Sequence, residues 1–221
     1  INENKKKESV FKITQSLIFT NIRKIIVVFG ILILIFISFQ TYNYYSLKDL
    51  KKNSINFFNT IEKNEEILAS LQEIKKSDNI FSTLSSLKII QNHNKQKNFN
   101  ISNELYKEIV FSDKLNNLYS SSISAHASYT LINASYIENT NKYLEDISIF
   151  INFIDDDLES YFSIKKELEF LLAVTRIDLN KSEYKNNKEV IDLFNFIYNS
   201  NQVSSSVKER VKKIHEFQLY K

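Results

Sequence analysis

From Ile25 to Tyr45 the chain carries no charged side chain, and the apolar heart of this run reads IIVVFGILILIFISF. As a helix rising about 1.5 Å per residue, the run reaches roughly 31 Å and matches a bilayer hydrocarbon core of about 30 Å. The pattern predicts one membrane-spanning helix over residues 25–45. A cleaved signal peptide would place small residues just beyond the apolar core, where Phe39, Gln40, Thr41, Tyr42, Asn43, Tyr44 and Tyr45 stand instead. A buried core helix would be shorter and interrupted by polar positions. Tyr42, Tyr44 and Tyr45 suit the interfacial belt, where a phenol ring sits among headgroups and its hydroxyl stays wet.

Beyond Tyr45 apolar residues recur at spacings of three and four, the helical period. Leu50, Phe57, Phe58, Ile61, Ile67, Leu68 and Leu71 predict a helix continuing from the membrane. Polar caps then mark successive starts: Asp78 before Ile80 and Phe81, Asn98 to Asn100 before Ile101 and Leu105, and Asp113 before Leu118 and Ile123. Further starts follow at Asn139 to Asn141, Asp155 to Asp157, Asn186 and Asn187, and Ser204 to Ser206. The expected fold class is all-α, with a tail over 1–24, the anchor over 25–45, a membrane-proximal helix over 46–77 and a helical domain over 78–221.

Phe99, Ser102, Tyr106 and Ile109 step by three, four and three, as do Ile137, Thr140, Leu144, Ile147 and Tyr184, Asn187, Ile191, Phe194. A bulky residue, a small or polar one three later and two bulky ones would let a partner helix approach closely. The overlay predicts three degenerate tetratricopeptide-like helix pairs with a closing helix, at register shifts of 38 and 47 residues. An irregular helical bundle would share the same periodicity.

Composition strengthens the helical reading. The only Gly is Gly30, inside the apolar run, and there is no Pro, so the usual punctuation of hairpins and tight strand turns is missing. With no Cys there is neither a disulfide framework nor a thiolate metal site. Lys5, Lys6, Lys7, Lys12, Arg23 and Lys24 face only Glu3 and Glu8 on the N-terminal side of the anchor, so the net +3 comes from the tail. Positive flanks stay in the cytoplasm, although Lys48, Lys51 and Lys52 lie beyond the other end. The expected location is a bacterial inner membrane, single-pass, with the N-terminus cytoplasmic and the C-terminal domain periplasmic. The rest of the chain is near neutral, which argues against nucleic acid as a partner. Lipid contact is expected through 25–45.

Candidate chemistry is sparse. His93, His126 and His215 are far apart, with no helical metal pair among them. His126 lies near Ser120, Ser121, Ser122 and Ser124, but no Gly-x-Ser-x-Gly elbow accompanies them, and small residues packing a helix face explain the serines better. Asp155, Asp156, Asp157 and Glu159 lack the Gly and distal Glu of a calcium loop and suit a helix N-terminus. No metal, cofactor or catalytic residue is assigned. A non-catalytic binding protein is expected, with an inner groove lined by Gln91, Tyr129 and Arg176, each eight residues before a repeat's lead residue. The competing expectation is a structural or signalling protein that self-associates through the membrane-proximal helix, for which the heptad order is partial.

The layout of basic tail, single anchor with aromatic exit, the segment SLKDLKKNSINFFNTIEKN and degenerate helix pairs resembles the YfgM-like family of ancillary SecYEG translocon subunits. It is also similar to uncharacterised single-anchor proteins of AT-rich intracellular bacteria. Ser102, Thr140 and Asn187 stand where that family's second helix carries Ala. The resemblance implies a periplasmic-side role beside the translocon, with translocon subunits, chaperones or translocating polypeptides as partners and no catalysis.

Overall fold

The computed structural model describes residues 2–63, 67–112 and 115–221, with the side chains of 2–25 and of Lys63 left undescribed. Among the described residues there is helix and turn but no strand. The chain divides into two compact units, 1–65 and 66–221.

The first unit is one helix, α1 (Asn2–Lys63). Its stretch Ile26–Glu62 is long and apolar enough to cross a membrane. Every large apolar side chain from Ile26 to Phe39 is exposed. Gly30 sits in its midst, and a Cβ there would meet nothing within 4 Å, so no contact among the described residues requires it.

The second unit runs α2 (Ile67–Lys75), α3 (Ile80–Lys95), α4 (Phe99–Val110), α5 (Asn117–Glu138), α6 (Leu144–Asn152), α7 (Glu159–Asn180), α8 (Lys188–Asn199) and α9 (Ser205–Tyr220). The polar caps do much of the punctuation. Asn79 accepts from the Phe81 amide at 3.0 Å, Asn116 from Tyr119 at 3.0 Å and Asn187 from Val190 at 3.1 Å. Each such cap is worth about 1 kcal/mol over Ala. The start expected at Asp113 lies outside the described residues, and α5 begins behind Asn116.

Three helices end alike in the absence of glycine. Lys97, Asn139 and Lys181 take left-handed φ of 60°, 48° and 54°, each 42 residues after the one before. Behind them the amides of Asn98, Thr140 and Ser182 reach back to the carbonyls of His93, Ser135 and Ile177. These bonds close the Schellman pattern that normally recruits Gly.

Helices α5, α7 and α9 pack side by side, while α6 packs on α5 and α7, and α8 on α7 and α9. α7 makes this possible because it is apolar on two sides. Leu168 and Leu172 join a core with Tyr106, Leu131 and Phe150, whereas Phe170, Val174 and Ile177 join another with Tyr184, Ile197 and Val211.

The three overlaid sets do not occupy matching places. Phe99, Ser102, Tyr106 and Ile109 all lie on α4, but Ile137 is in the last turn of α5, Thr140 is in the connection to α6, and Tyr184 and Asn187 precede α8. Register shifts of 38 and 47 straddle the even spacing of the left-handed residues and misplace the middle set.

Candidate functional site

Residues 115–137, which include nearly all of α5, contain no Asp, Glu, Lys or Arg. Between Ser120 and Tyr136 the exposed positions of this helix are Ser122, His126, Tyr129, Asn133 and Tyr136, at steps of four, three, four and three, and so form one stripe along it. Its opposite side is narrow, with Ser121, Ser124, Ala127, Ser128, Ala134 and Ser135 all buried. Ser128 Oγ donates to the Ser124 carbonyl at 2.8 Å and Ser135 Oγ to that of Leu131 at 2.9 Å. These two hydroxyls are satisfied within the helix, whereas Ser124 Oγ is buried without a hydrogen-bond partner.

Two carboxylates of α7 stand beside the stripe. Glu167, buried, takes Arg210 Nε on Oε1 at 2.6 Å and Nη2 on Oε2 at 2.5 Å, and Tyr129 Oη donates to Oε2 at 3.0 Å. Three turns further on, Asp178 accepts from Tyr136 Oη at 3.0 Å, Gln218 Nε2 at 2.9 Å and Lys221 Nζ at 2.5 Å. Each acid therefore ties α7 to a tyrosine of α5 and to a cation, Arg210 within α9 and Lys221 just after it. Burial, then the charge of Glu167, pushes the Tyr129 phenol well above its usual range. Burial is also the main cause of the rise of Tyr136 to about 12. Both phenols stay protonated and remain donors.

Two tyrosine–histidine pairs brace the same assembly. Tyr106 Oη of α4 lies 2.6 Å from His126 Nδ1 on α5, and Tyr184 Oη lies 2.7 Å from His215 Nδ1 on α9. Burial lowers both imidazole pKa values, which keeps the rings neutral and leaves Nδ1 free to accept the hydroxyl. His126 thus turns to Tyr106 rather than to a neighbouring serine.

Gln91, Tyr129 and Arg176 do not share a face. Tyr129 belongs to the α5 stripe and reaches Glu167. Arg176 follows Glu167 by nine residues, which at about 100° per residue puts it on the opposite side of α7. There it lines a small cavity of about 100 Å³ with Asn180, Asn187 and Glu189. Gln91 is exposed on α3 and accepts from Lys88 Nζ at 2.8 Å. Counted back from the left-handed residues Lys97, Asn139 and Lys181, Gln91 and Arg176 fall within one residue of each other while Tyr129 lies about a turn further back, the same register error that displaced the middle overlaid set.

Among the described residues no group of His, Asp and Glu could hold a metal ion. The acidic run before α7 is engaged locally: Asp155 accepts from Asn117 Nδ2 at 2.8 Å and from the Asp157 amide at 3.0 Å, and Asp156 pairs with Lys165. A cleft of about 730 Å³ opens between the start of α3 and the end of α4. Its rim is closed by Lys75 on Glu108 at 2.6 Å, and Ser82 and Ser112 donate to the Lys75 and Ile109 carbonyls. Comparison with protein-family models, curated proteins and solved structures returns no match.

Proposed function

We propose that this is a single-anchor, non-catalytic binding protein whose helical domain offers the face built by α5, α7 and α9 to other polypeptides. The side-by-side packing of these three helices, tied through Glu167 and Asp178, carries the proposal. Helices in one layer present a continuous surface, and clasps across them fix its curvature before any partner arrives, which reduces the ordering cost of binding. The even spacing of Lys97, Asn139 and Lys181 supports a degenerate tetratricopeptide-like architecture with α3/α4, α5/α6 and α7/α8 as pairs. The exposed apolar band of α1 supports anchoring, and confinement to a membrane raises the effective concentration toward membrane-bound partners. The basic tail favours an orientation with the domain outside the cytoplasm. The layout it shares with the YfgM-like family makes translocon subunits, periplasmic chaperones or emerging polypeptides the partner classes to examine first.

Photocrosslinking in intact cells tests this. A photoreactive residue at Asn133, on the exposed stripe, captures partner polypeptides, and the same residue at Arg176, on the far side of α7, does not. Equal capture at both positions, or only self-crosslinks, contradicts the reading and favours the self-associating alternative.

A further inference from the structure

The α5 part of the face that the proposed function assigns to partners carries no Asp, Glu, Lys or Arg from 115 to 137, in a chain of which 25% is charged. Among the side chains of the α5 stripe only His126 could become charged near neutral pH, and burial favours its neutral ring, while the phenols of Tyr129 and Tyr136 stay protonated. The cations nearest the α7 carboxylates are committed, Arg210 to Glu167 and Lys221 to Asp178. On α9 Lys213 pairs with Glu209 at 3.1 Å and Lys212 with Glu216 at 3.7 Å. What the face offers is therefore aromatic surface and neutral hydrogen bonding. Tyr129 and Tyr136 are 37% and 44% exposed although their hydroxyls are taken, so their rings are what a partner meets. Phe217, seven residues after Arg210 and hence on the same side of α9, is 65% exposed. The Asn133 amide supplies both a donor and an acceptor, the pair a peptide group needs.

Resting on that reading, we infer that the α5–α7–α9 face takes an uncharged polypeptide segment carrying apolar and small polar side chains, held by Tyr129, Tyr136 and Phe217 with Asn133 on its backbone. A charged segment would lose hydration here and find no free counter-ion. A neutral one loses little and covers the aromatic rings. Without ion pairs across the contact, binding does not weaken with salt.

The full chain in detergent micelles is titrated, by fluorescence anisotropy, with three end-blocked peptides of about 20 residues on one Leu, Tyr, Ser and Asn background. One is uncharged, one carries several Lys and one several Glu. The uncharged peptide binds at least about tenfold more tightly than either charged one, and its Kd shifts less than about twofold between roughly 50 and 500 mM salt. Asn133→Lys and Asn133→Asp each weaken it about tenfold with helicity unchanged, and Arg176→Glu leaves it unaltered. Tighter binding of a charged peptide, or a Kd that climbs steeply with salt, overturns the inference. So does failure of all three peptides on a protein that still crosslinks partners through Asn133, an outcome that leaves the binding role standing. If the crosslinks fail as well, both fall together.

Discussion

Arg210 grips Glu167 through two parallel hydrogen bonds, and the two residues differ sharply in exposure, the guanidinium side chain at 53% and the carboxylate at 4%. The cation is tethered from the wet side, while the buried acid takes its hydrogen bonds from Arg210 and Tyr129. Arg210→Ala is expected to cost about 2–4 kcal/mol, because it strands a buried carboxylate. Adding Glu167→Gln to that variant recovers part of the loss. Urea midpoints of the two variants measure this, and an unchanged midpoint for Arg210→Ala removes the clasp from the account.

The neutral histidines make stability depend on pH. Burial holds the folded pKa values of His126 and His215 below the usual value of about 6.5, so the neutral form is favoured in the folded state. Their contribution is complete above that unfolded value and is lost as pH falls toward the folded ones. Thermal midpoints are expected to drop between about pH 7 and pH 5 more steeply than those of a His126→Gln, His215→Gln variant. Parallel curves for the two proteins would show that the imidazoles do not contribute.

Much of the fold was legible because caps and periodicity are local. Asp78 and Asn79, Asn98, Asn187 and Ser204 stand within two residues of helix starts, and the apolar run of α1 needs no tertiary information. The layer of α5, α7 and α9 was not legible, since it depends on bonds such as Tyr129 to Glu167 and Tyr136 to Asp178, which join residues 38 and 42 positions apart. Apolar spacing could not set the repeat register either, because ordinary helical periodicity permits several overlays. The signal that does so, a left-handed residue at Lys97, Asn139 and Lys181, is hidden when the residue is lysine or asparagine rather than glycine. Arg176 lies on the far side of α7 from Glu167, and Tyr129 on the exposed stripe of α5. The charge-free stretch around it was visible in the sequence as a gap, a signal that a search for motifs passes over.

Lysine in the left-handed region stores strain at two helix ends. Lys97→Gly and Lys181→Gly are each expected to raise stability by about 0.5–1 kcal/mol, while Val at either position lowers it. Chemical denaturation of the single and double variants checks this, and the two gains should add because the sites are distant. Destabilisation by glycine would mean that the lysine side chains make contacts that outweigh the backbone strain.

The anchor and its orientation can be read without background, since the chain has no native cysteine. A cysteine at Ser205 is expected to react with a membrane-impermeant maleimide in spheroplasts, and one at Lys6 only after lysis. Ile33→Arg places a charge near the middle of the apolar band, at a cost of about 2.5–3.5 kcal/mol to insertion, and should shift protein from the membrane fraction. The reverse labelling pattern would invert the topology.

The most direct test of the central claim compares hydroxyl-radical footprints of the protein in native membranes with those of the purified protein in detergent. A partner on the inner face protects Tyr129, Tyr136 and Phe217 in the membranes and leaves Tyr198 of α8 equally reactive in both. Equal reactivity of the α5 tyrosines in the two preparations, or protection confined to Tyr198, would contradict it.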